Sequence, residues 1–407
     1  MTALLAVGGA YALASWDWCG RWEQGEAVLV SAARATGELQ AGAAAVELNP
    51  PWPVTVAGYG PLRPTASRAS RPLKARAVVL QVGAVKAAVV TLDVLLVPDA
   101  VVQEVRAASG LADAWVVATH THSSFGGYDA RPLAQLAGTG WHRESAKSAL
   151  VRAAVEALAL AQAALAPARA EVGFVEAPLC RPRSGEACDQ RVSRLTISSQ
   201  AGTIAEWVVV AAHPTLVSRK LEAVDPDYPG ALAERRWAVD AGVTLVVQGG
   251  GGNASAVAQS AAAFAQQLEA ALPAGVAIAQ PLELAVARAH VPLPHPDASR
   301  LVPSFSRVAA SNFVCLSAAR QAEVAVLRLG SMVWMSAPIE ASQLAGARLE
   351  SAAGASRLVS LANGYLGYVE PAQVVEQAGG ESRRQYYGGA LLAALEEAAR
   401  LAGAATR

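Results

Sequence analysis

Short apolar runs rich in β-branched residues recur along the chain, and each stops at a polar or glycine-containing segment. Runs of this kind predict buried β-strands. The runs and the segments after them are AWVVAT before His120–His122, EWVVVAA before His213, VTLVVQ before Gly249–Ser255, SMVWMSA before Pro338–Glu340, and RLVSLA before Asn363–Tyr368. One polar segment after a strand is ordinary, but their recurrence favours an enzyme over a binding module.

Helical spacing of apolar residues follows several of these strands. The helical patterns cover about Glu144–Ala166, Gly230–Ala241, Ser255–Leu272 and Ala341–Ala352. Alternating strands and helices predict an α/β protein, with mixed β-sheets flanked by helices. Ligands of such sheets bind beyond the carboxyl ends of the strands. We therefore expect the polar segments to converge on one active site.

Composition narrows the class of protein. The chain has 407 residues, with 33 Lys+Arg and 33 Asp+Glu, so no basic excess indicates a nucleic-acid partner. A hydrophobic fraction of 53% with only 16% charged residues is typical of a folded, well-packed chain. The length allows one large α/β domain or about two smaller ones.

The N-terminus is apolar from Met1 to about Trp16, which is shorter than the roughly 20 residues of a membrane-spanning helix. It also lacks the basic start of a signal peptide. Trp16, Trp18 and Trp22 suit a membrane–water interface. We expect residues 1–40 to form an apolar segment and linker associated with a membrane surface. The remaining domain, residues 41–407, would then be exported or membrane-tethered outside the cytoplasm.

The four cysteines lack a CxxC spacing, which excludes a cysteine zinc knuckle. Cys180 and Cys188 flank a short loop. They are compatible with a disulfide in an exported protein and equally with two unpaired thiols.

The histidines suggest a metal site. His120 and His122 lie two residues apart, so on a strand both side chains face one side, roughly 6.5–7 Å apart along the chain. Catalytic zinc typically takes three protein ligands and keeps a position for water. His120, His213 and Glu340 could supply these ligands, which leaves His122 for proton transfer or carbonyl polarisation. A hydrogen-bonded structural role is the alternative for each, and it is the one we assign to His142, His290 and His295.

The glycine loop allows two interpretations. GGGGNA fits a G-x-G-x-x-A dinucleotide fingerprint between a strand and a helix, with Glu269 about twenty residues further on. An NAD-type oxidoreductase using Gly249–Gly252 is therefore one alternative. Otherwise the glycines let the backbone approach a substrate, and Ser255 begins a helix whose N-terminus stabilises negative charge. Ser255 would then be a nucleophile, an oxyanion partner or simply a helix N-cap.

In their order along the chain, these motifs resemble the catalytic domain of the neutral/alkaline ceramidases, zinc amidases that split ceramide into sphingosine and a fatty acid. The resemblance covers about Ala41 to Leu395. The segments that carry it are VAGYG, LKARAVVL and VVTLDV near the start, then THTHSSFGGY, AAHPT…DPDYPG, GGNAS, APIEASQLAGARL and ANGYLGYVEP…RQYYGG.

The resemblance implies roles for individual residues. It places Zn²⁺ on His120, His213, Glu340 and Tyr368, of which the tyrosine is indicated by the family alone. His122 and Tyr386 match the residues that address the scissile amide, and Ser255 matches the essential serine. Arg183, in RPRSG, matches an arginine of an Asn-Arg-Ser motif whose flanking residues differ here.

The sequence departs from the family at several points. Ser124-Phe125 replaces Gly-Pro, and Ala256-Val257 replaces Pro-Asn. The chain ends at Arg407, so we expect no C-terminal β-sandwich domain. The favoured function is a zinc-dependent hydrolase that cleaves an amide bond in a lipid-like substrate. The alternatives are the dinucleotide enzyme, an amidohydrolase-type barrel and a non-catalytic protein that retains the fold.

Overall fold

The computed structural model describes residues 19–20, 22, 25–60, 64–185, 187–297, 311–312 and 314–407. The apolar start with Trp16 and Trp18 therefore lies outside the described residues. Trp22 is described, and its indole N–H donates to the carbonyl oxygen of Leu293 at 2.5 Å. The Arg320 guanidinium lies 4.6 Å from the centre of its ring. Trp22 thus packs against the folded domain.

The strands, in chain order, are β1 (Val28–Gly37), β2 (Gln40–Glu47), β3 (Val54–Thr55), β4 (Thr65–Ala66), β5 (Lys74–Val82), β6 (Val85–Leu92), β7 (Trp115–Ala118), β8 (Ala166–Pro167), β9 (Arg169–Glu176), β10 (Cys180–Pro182), β11 (Arg191–Ser199), β12 (Gly202–Val210), β13 (Val243–Gln248), β14 (Ala254–Ala256), β15 (Val276–Ala277), β16 (Leu282–Pro292), β17 (Gln321–Leu329), β18 (Met332–Ser336), β19 (Glu340–Ala341), β20 (Arg357–Val359) and β21 (Tyr368–Val369).

The α-helices are α1 (Asp99–Ser109), α2 (Pro132–Ala134), α3 (Glu144–Ala163), α4 (Asp227–Trp237), α5 (Ala261–Ala270), α6 (Gln343–Ala353), α7 (Ala372–Glu376) and α8 (Leu391–Ala405). One π-helical turn covers Gln135–Thr139, and 3₁₀ turns cover Ser382–Arg384 and Gly388–Ala390. Among the described residues, no helix combines the length and apolarity needed to cross a membrane.

Three five-stranded sheets organise the protein. Their strand orders are β7-β6-β5-β2-β8, β13-β12-β11-β9-β15 and β1-β16-β17-β18-β20. Each contains one parallel pair, β6 with β7, β12 with β13 and β18 with β20, and is otherwise antiparallel. This confirms the prediction of a mixed α/β fold. The described sheets do not form an eight-stranded barrel, so the barrel alternative is wrong.

One tryptophan from each sheet meets the others in a shared core. Trp115 of β7 packs edge-on against Trp207 of β12, with ring centres 6.0 Å apart. Trp207 in turn stacks on Trp334 of β18 at 5.1 Å. The core buries one face of each sheet, and helices cover the opposite faces. Because side chains alternate between faces, strands buried on both sides appear as the continuous apolar runs seen in the sequence.

The strands before the polar segments form where the sequence predicts them, but one helix boundary differs. Ala254–Ala256 form β14 and pair with β10, and α5 begins only at Ala261. The Oγ of Ser260 caps this helix by accepting from the N–H of Ala263 at 3.2 Å. The prediction that Ser255 begins or caps a helix is therefore wrong. Pairing with a distant strand overrides the local helical pattern.

Residues before 41 take part in the sheets. Strand β1, which the sequence analysis placed in the N-terminal segment, pairs with β16 along its length. Cys180 and Cys188 are disulfide-bonded, so the unpaired-thiol alternative is wrong. A second disulfide, between Cys19 and Cys315, was not predicted.

Candidate active site

The segments that follow three strands, one strand in each five-stranded sheet, bring His120, His213 and Glu340 together. His120 lies two residues beyond β7, His213 lies three residues beyond β12, and Glu340 begins β19, four residues beyond β18. The Glu340 Oε2 atom is 3.1 Å from the Nε2 of His120 and 3.0 Å from the Nε2 of His213. His120 adopts a left-handed backbone conformation with φ of 70°, which is uncommon for a non-glycine residue and often marks a functional position.

Backbone carbonyls fix the orientation of these rings. The Nδ1 of His120 lies 2.7 Å from the carbonyl oxygen of Leu95. The Nδ1 of His213 lies 2.9 Å from the carbonyl oxygen of Gly251. A carbonyl only accepts, so each Nδ1 carries the proton and each Nε2 presents a lone pair to the centre of the site. Metal-binding histidines are commonly oriented in this way.

Tyr368 completes the set of predicted ligands. Strand β21 pairs in parallel with β19, which places Tyr368 opposite Glu340. The Tyr368 hydroxyl lies 3.2 Å from the Nε2 of His213, and the two rings stack with an interplanar angle of 6°. The nitrogen and oxygen donors of these residues are those that Zn²⁺ accepts in proteins. The residues present therefore fit a zinc ion.

His122 lies beside this cluster. Its Nδ1 is 2.8 Å from the carbonyl oxygen of Gly58, and its Nε2 is 3.3 Å from the Nε2 of His120. The ligand nitrogens of His120, His122 and His213 lie within 4.8 Å of one another, which itself marks a potential metal site. The observed geometry places His122 where the sequence predicted it, next to the ligands.

Burial sets the protonation of the cluster. Burial, together with the nearby Arg183 charge, lowers the pKa of His213 to about 4, although the adjacent Glu340 carboxylate opposes this shift. Burial likewise holds the pKa of His122 well below its ordinary value, with the neighbouring histidines adding to the effect. Burial alone would raise the pKa of Glu340, but the adjacent imidazoles of His120 and His213 outweigh it and hold that pKa well below its usual range. At neutral pH, His122 and His213 are therefore neutral and Glu340 is ionised.

The other predicted residues surround the same cavity. Arg183, Ser255 and Tyr386 line it together with His120, His122, Glu340 and Tyr368, and its volume is about 620 Å³. The Arg183 Nη2 lies 3.2 Å from the Tyr368 hydroxyl and donates to the carbonyl oxygen of Gly252. Ser255 forms a backbone bridge beside His213. The structure thus brings all the predicted site residues to one location.

The glycine loop, Gly249–Gly252, packs closely against the backbone of the segment that carries Glu340. A Cβ at Gly252 would lie 2.6 Å from the carbonyl oxygen of Glu340, so only glycine permits this approach. The loop is followed by strand β14 and not directly by a helix. The dinucleotide fingerprint requires a strand, the glycines and then the N-terminus of a helix. The dinucleotide interpretation of Gly249–Gly252 is therefore wrong.

Several residues at the site were missed by the sequence analysis. The hydroxyl of Tyr365 donates to Glu340 Oε1 at 2.6 Å. Burial and the Glu340 charge raise the pKa of Tyr365 well above its ordinary value, so it remains a donor. The Tyr59 ring packs on His122 with ring centres 4.9 Å apart. Tyr365 lies three residues before Tyr368 in NGYLGY, but this spacing alone does not show which hydroxyl faces the ligands.

Ser124 and Phe125, which stand where the ceramidase motif has Gly-Pro, lie behind the site. The Phe125 ring is buried against Tyr128, with ring centres 5.7 Å apart. The Ser124 hydroxyl donates to the carbonyl oxygen of Asp93 at 2.6 Å. Neither residue lines the cavity. Ser124 and Phe125 therefore contribute to the packing behind the histidine loop and not to the cavity wall.

The fold, three mixed sheets with the candidate site beyond their strand ends, is of the ceramidase class. The neutral ceramidase from Pseudomonas aeruginosa aligns with a TM-score of 0.74 at 18% identity, covering 91% of this chain and 75% of that one. A ceramidase complexed with C2 aligns with a TM-score of 0.75 at 17% identity, covering 90% and 75%. No protein-family model and no curated protein matches this chain. The ceramidase resemblance is confirmed at the level of the fold.

Proposed function

We propose that this protein is a zinc-dependent hydrolase that cleaves an amide bond in a lipid-like substrate, as ceramidases do. The main support is the convergence of His120, His213 and Glu340, each carried by the segment that follows a strand of a different five-stranded sheet, beside a cavity that His120 and Glu340 line. With Tyr368 they would hold the ion. When bound, Zn²⁺ would lower the pKa of a water ligand toward about 7 and polarise the amide carbonyl.

We assign proton transfer to His122. Its Nδ1–H donates to the carbonyl oxygen of Gly58, so its Nε2 is the basic atom and faces the ligands. Its lowered pKa keeps this nitrogen unprotonated at neutral pH. Nε2 can therefore accept a proton from the attacking group and return it to the departing amine nitrogen. The leaving group then departs as a neutral amine.

Three further residues are assigned to the substrate. Ser255 and Tyr386 line the cavity, and their hydroxyls would contact the scissile amide. Arg183 bonds the Tyr368 hydroxyl and lies 3.3 Å from His213, so it would orient both ligands and stabilise developing negative charge.

The cavity has a wall that suits an acyl chain. Five larger apolar residues contribute to its lining, and they are Leu95, Leu96, Leu133, Val314 and Leu366. A volume of about 620 Å³ lies within the range of small-molecule sites, roughly 300–1,000 Å³. An acyl chain would bury apolar surface along this wall while its amide reaches the proposed metal site.

The proposed function is tested by metal analysis together with an amidase assay on an N-acylsphingosine. We expect about one zinc per chain and activity that a chelator abolishes and added zinc restores. His120→Ala should lose both the metal and the activity. His142→Ala should lose neither, since His142 lies at the start of α3 beside Glu144, outside the cavity lining. Chelator-resistant turnover would refute the zinc mechanism, and zinc binding without turnover would favour a non-catalytic protein.

We also propose that the catalytic domain, together with its disulfides, functions outside the cytoplasm. Cys180–Cys188 and Cys19–Cys315 are the supporting observation, because disulfides persist mainly in oxidising compartments. Membrane association through residues 1–40 stays a prediction, as does the boundary before residue 41. Cell fractionation with a tag at Arg407 tests the location, and recovery of reduced protein in the cytosol would contradict it.

A further inference from the structure

One buried segment, Asp225–Tyr228 at the start of α4, contacts the chain on both sides of the candidate metal site. Asp227 within it is fully buried and has a left-handed backbone conformation, with φ of 54°. Such a conformation is uncommon for a non-glycine residue and often marks a functional position. None of the four residues lines the cavity, so the segment can affect the reaction only by positioning other residues.

Asp227 holds the turn that follows His213. Its Oδ2 accepts hydrogen bonds from the backbone N–H of Leu216 at 2.9 Å and from that of Val217 at 3.0 Å. Its Oδ1 accepts from the N–H of Tyr228 at 2.6 Å. One buried carboxylate therefore fixes the chain three and four residues beyond a proposed ligand.

Tyr228 and Gln248 bind the residues immediately before the two histidine ligands. The Tyr228 hydroxyl donates to the carbonyl oxygen of Ala212 and accepts from the Nε2 of Gln248 at 2.8 Å. The same Nε2 lies 3.5 Å from the carbonyl oxygen of Thr119, and the Oε1 of Gln248 accepts from the N–H of Ala212 at 3.3 Å. These contacts join the chain that leads into His213 to the chain that leads into His120.

Asp225 holds the loop that carries His120 and His122. Its carbonyl oxygen accepts from the hydroxyl of Thr121, the residue between these histidines, at 2.8 Å. Its N–H donates to the carbonyl oxygen of Ser123 at 2.7 Å. The histidine loop is therefore tied to the same segment as the turn after His213.

The two aspartates are also joined to each other. The Oδ1 of Asp225 accepts from the N–H of Asp227 at 2.7 Å. Arg71 pairs with the Asp225 carboxylate and donates to the carbonyl oxygen of Asp227 at 3.0 Å. The Ser70 hydroxyl donates to the Asp225 carboxylate as well. These contacts link the part of the segment that holds the His120 loop to the part that holds the His213 turn.

The separation of the two histidine ligands is not set by chain connectivity, because His120 and His213 follow strands of different sheets. Their ring centres are 4.9 Å apart, with an interplanar angle of 71°. A metal centre requires its ligands to be held within about 0.5 Å of their productive positions. The contacts of Asp225–Tyr228 and Gln248 link the chain around one ligand to the chain around the other.

We propose that the Asp225–Tyr228 segment is a positioning element that sets the separation of His120 and His213, with Asp227 as its central residue. This inference rests on the zinc site of the proposed function. The segment would thereby determine how tightly the ion binds and which coordination geometry it adopts. Loss of the partners that orient metal ligands typically costs about 10–100-fold in metal affinity.

Metal binding to Asp227→Asn protein tests the inference. Asparagine tolerates the left-handed conformation but offers one acceptor oxygen where aspartate has two, so the bonds made by Oδ1 and Oδ2 cannot all be kept. We expect zinc affinity, measured by chelator competition, to fall about tenfold or more. Saturating Co²⁺ serves as a coloured substitute for Zn²⁺, and its visible spectrum should change because it reports ligand geometry.

Two further variants locate the effect. Tyr228→Phe removes the hydroxyl that binds Ala212 and should change zinc affinity and the Co²⁺ spectrum in the same direction, which decides the matter if Asp227→Asn does not fold. Glu350→Gln is the control, because Glu350 is buried, accepts from the N–H of Leu358 at 2.9 Å and does not line the cavity. It should lower stability and leave metal affinity and spectrum at their wild-type values.

These measurements follow metal binding and not turnover, which separates the inference from the amidase proposal. Weaker zinc binding in Asp227→Asn supports the inference even if the wild-type protein cleaves no amide, and then only the amidase proposal fails. Zinc-dependent cleavage by the wild-type protein, with unchanged affinity and spectrum in Asp227→Asn and Tyr228→Phe, refutes the inference and leaves the amidase proposal standing. A wild-type protein that binds neither metal overturns both.

Discussion

At the scale of single residues, Ser255 and Ser260 are expected to have different roles, the first in catalysis and the second in stability. Ser255 lines the cavity from strand β14, whereas Ser260 caps α5. We expect Ser255→Ala to keep zinc and fold and to lose about a hundredfold or more in amidase rate, the loss typical of a missing oxyanion contact or nucleophile. Ser260→Ala should lower the free energy of unfolding by about 0.5–2 kcal/mol with little effect on rate.

Both variants are measured by steady-state kinetics and denaturant unfolding. A Ser255→Ala protein with wild-type turnover would remove Ser255 from the mechanism, whatever its stability.

We expect Tyr365 to act on the proposed metal site through Glu340. Its hydroxyl donates to the carboxylate oxygen that does not face the histidines. Partners of this kind orient a ligand, and their loss typically costs about 10–100-fold in metal affinity. We therefore expect Tyr365→Phe to weaken zinc binding by about that factor in a chelator competition.

Tyr387→Phe is the control, because the Tyr387 hydroxyl donates to the carbonyl oxygen of Ala319 and contacts no ligand. If both variants bind zinc equally well, Tyr365 does not orient Glu340.

At the scale of elements, a buried ion pair ties strand β20 to the segment that carries Arg183. Arg357 and Asp189 are 2.8 Å apart, with side-chain exposures of 0% and 3%. Removing one partner of such a pair leaves a buried charge and costs about 3–5 kcal/mol. We expect Asp189→Ala to lower the free energy of unfolding by about that amount.

The exposed pair of Arg348 and Glu396 provides the comparison, since Arg348 is 48% exposed. Glu396→Ala should cost no more than about 1 kcal/mol. Equal losses in the two variants, measured by denaturant unfolding, would contradict a special role for the buried pair.

The sequence predicts the elements of this site better than the contacts between them. The strands before His120 and His213 were evident because continuous apolar runs report burial on both faces. Strand β14 was not, because its hydrogen bonds run to β10, far away in the chain. Tyr368 was indicated by family resemblance alone, since its approach to Glu340 depends on the pairing of β21 with β19. Spacing along the chain carries no information about such pairings.

For the whole molecule, the neutral histidines link stability to pH. Burial lowers the pKa of His213 from 6.5 to about 4. Between these values the unfolded chain binds the proton and the folded protein does not, so stability falls as pH drops through this window. We expect metal-free protein to lose stability progressively from about pH 6.5 to pH 4.

Denaturant unfolding of chelator-treated protein at pH 7.0, 5.5 and 4.5 measures this effect. His213→Gln should show a shallower dependence over the same window. An equally steep dependence in the variant would assign the effect to other groups.

The contact between the three tryptophans bears on the order in which the three sheets assemble and the metal binds. Trp115, Trp207 and Trp334 lie on β7, β12 and β18, the strands that lead to His120, His213 and Glu340. No two of these sheets carry all three of these proposed ligands, so a partly assembled chain would lack a complete metal site. We therefore expect the metal to bind last, after the three sheets have assembled, and not to direct the folding of an incomplete domain.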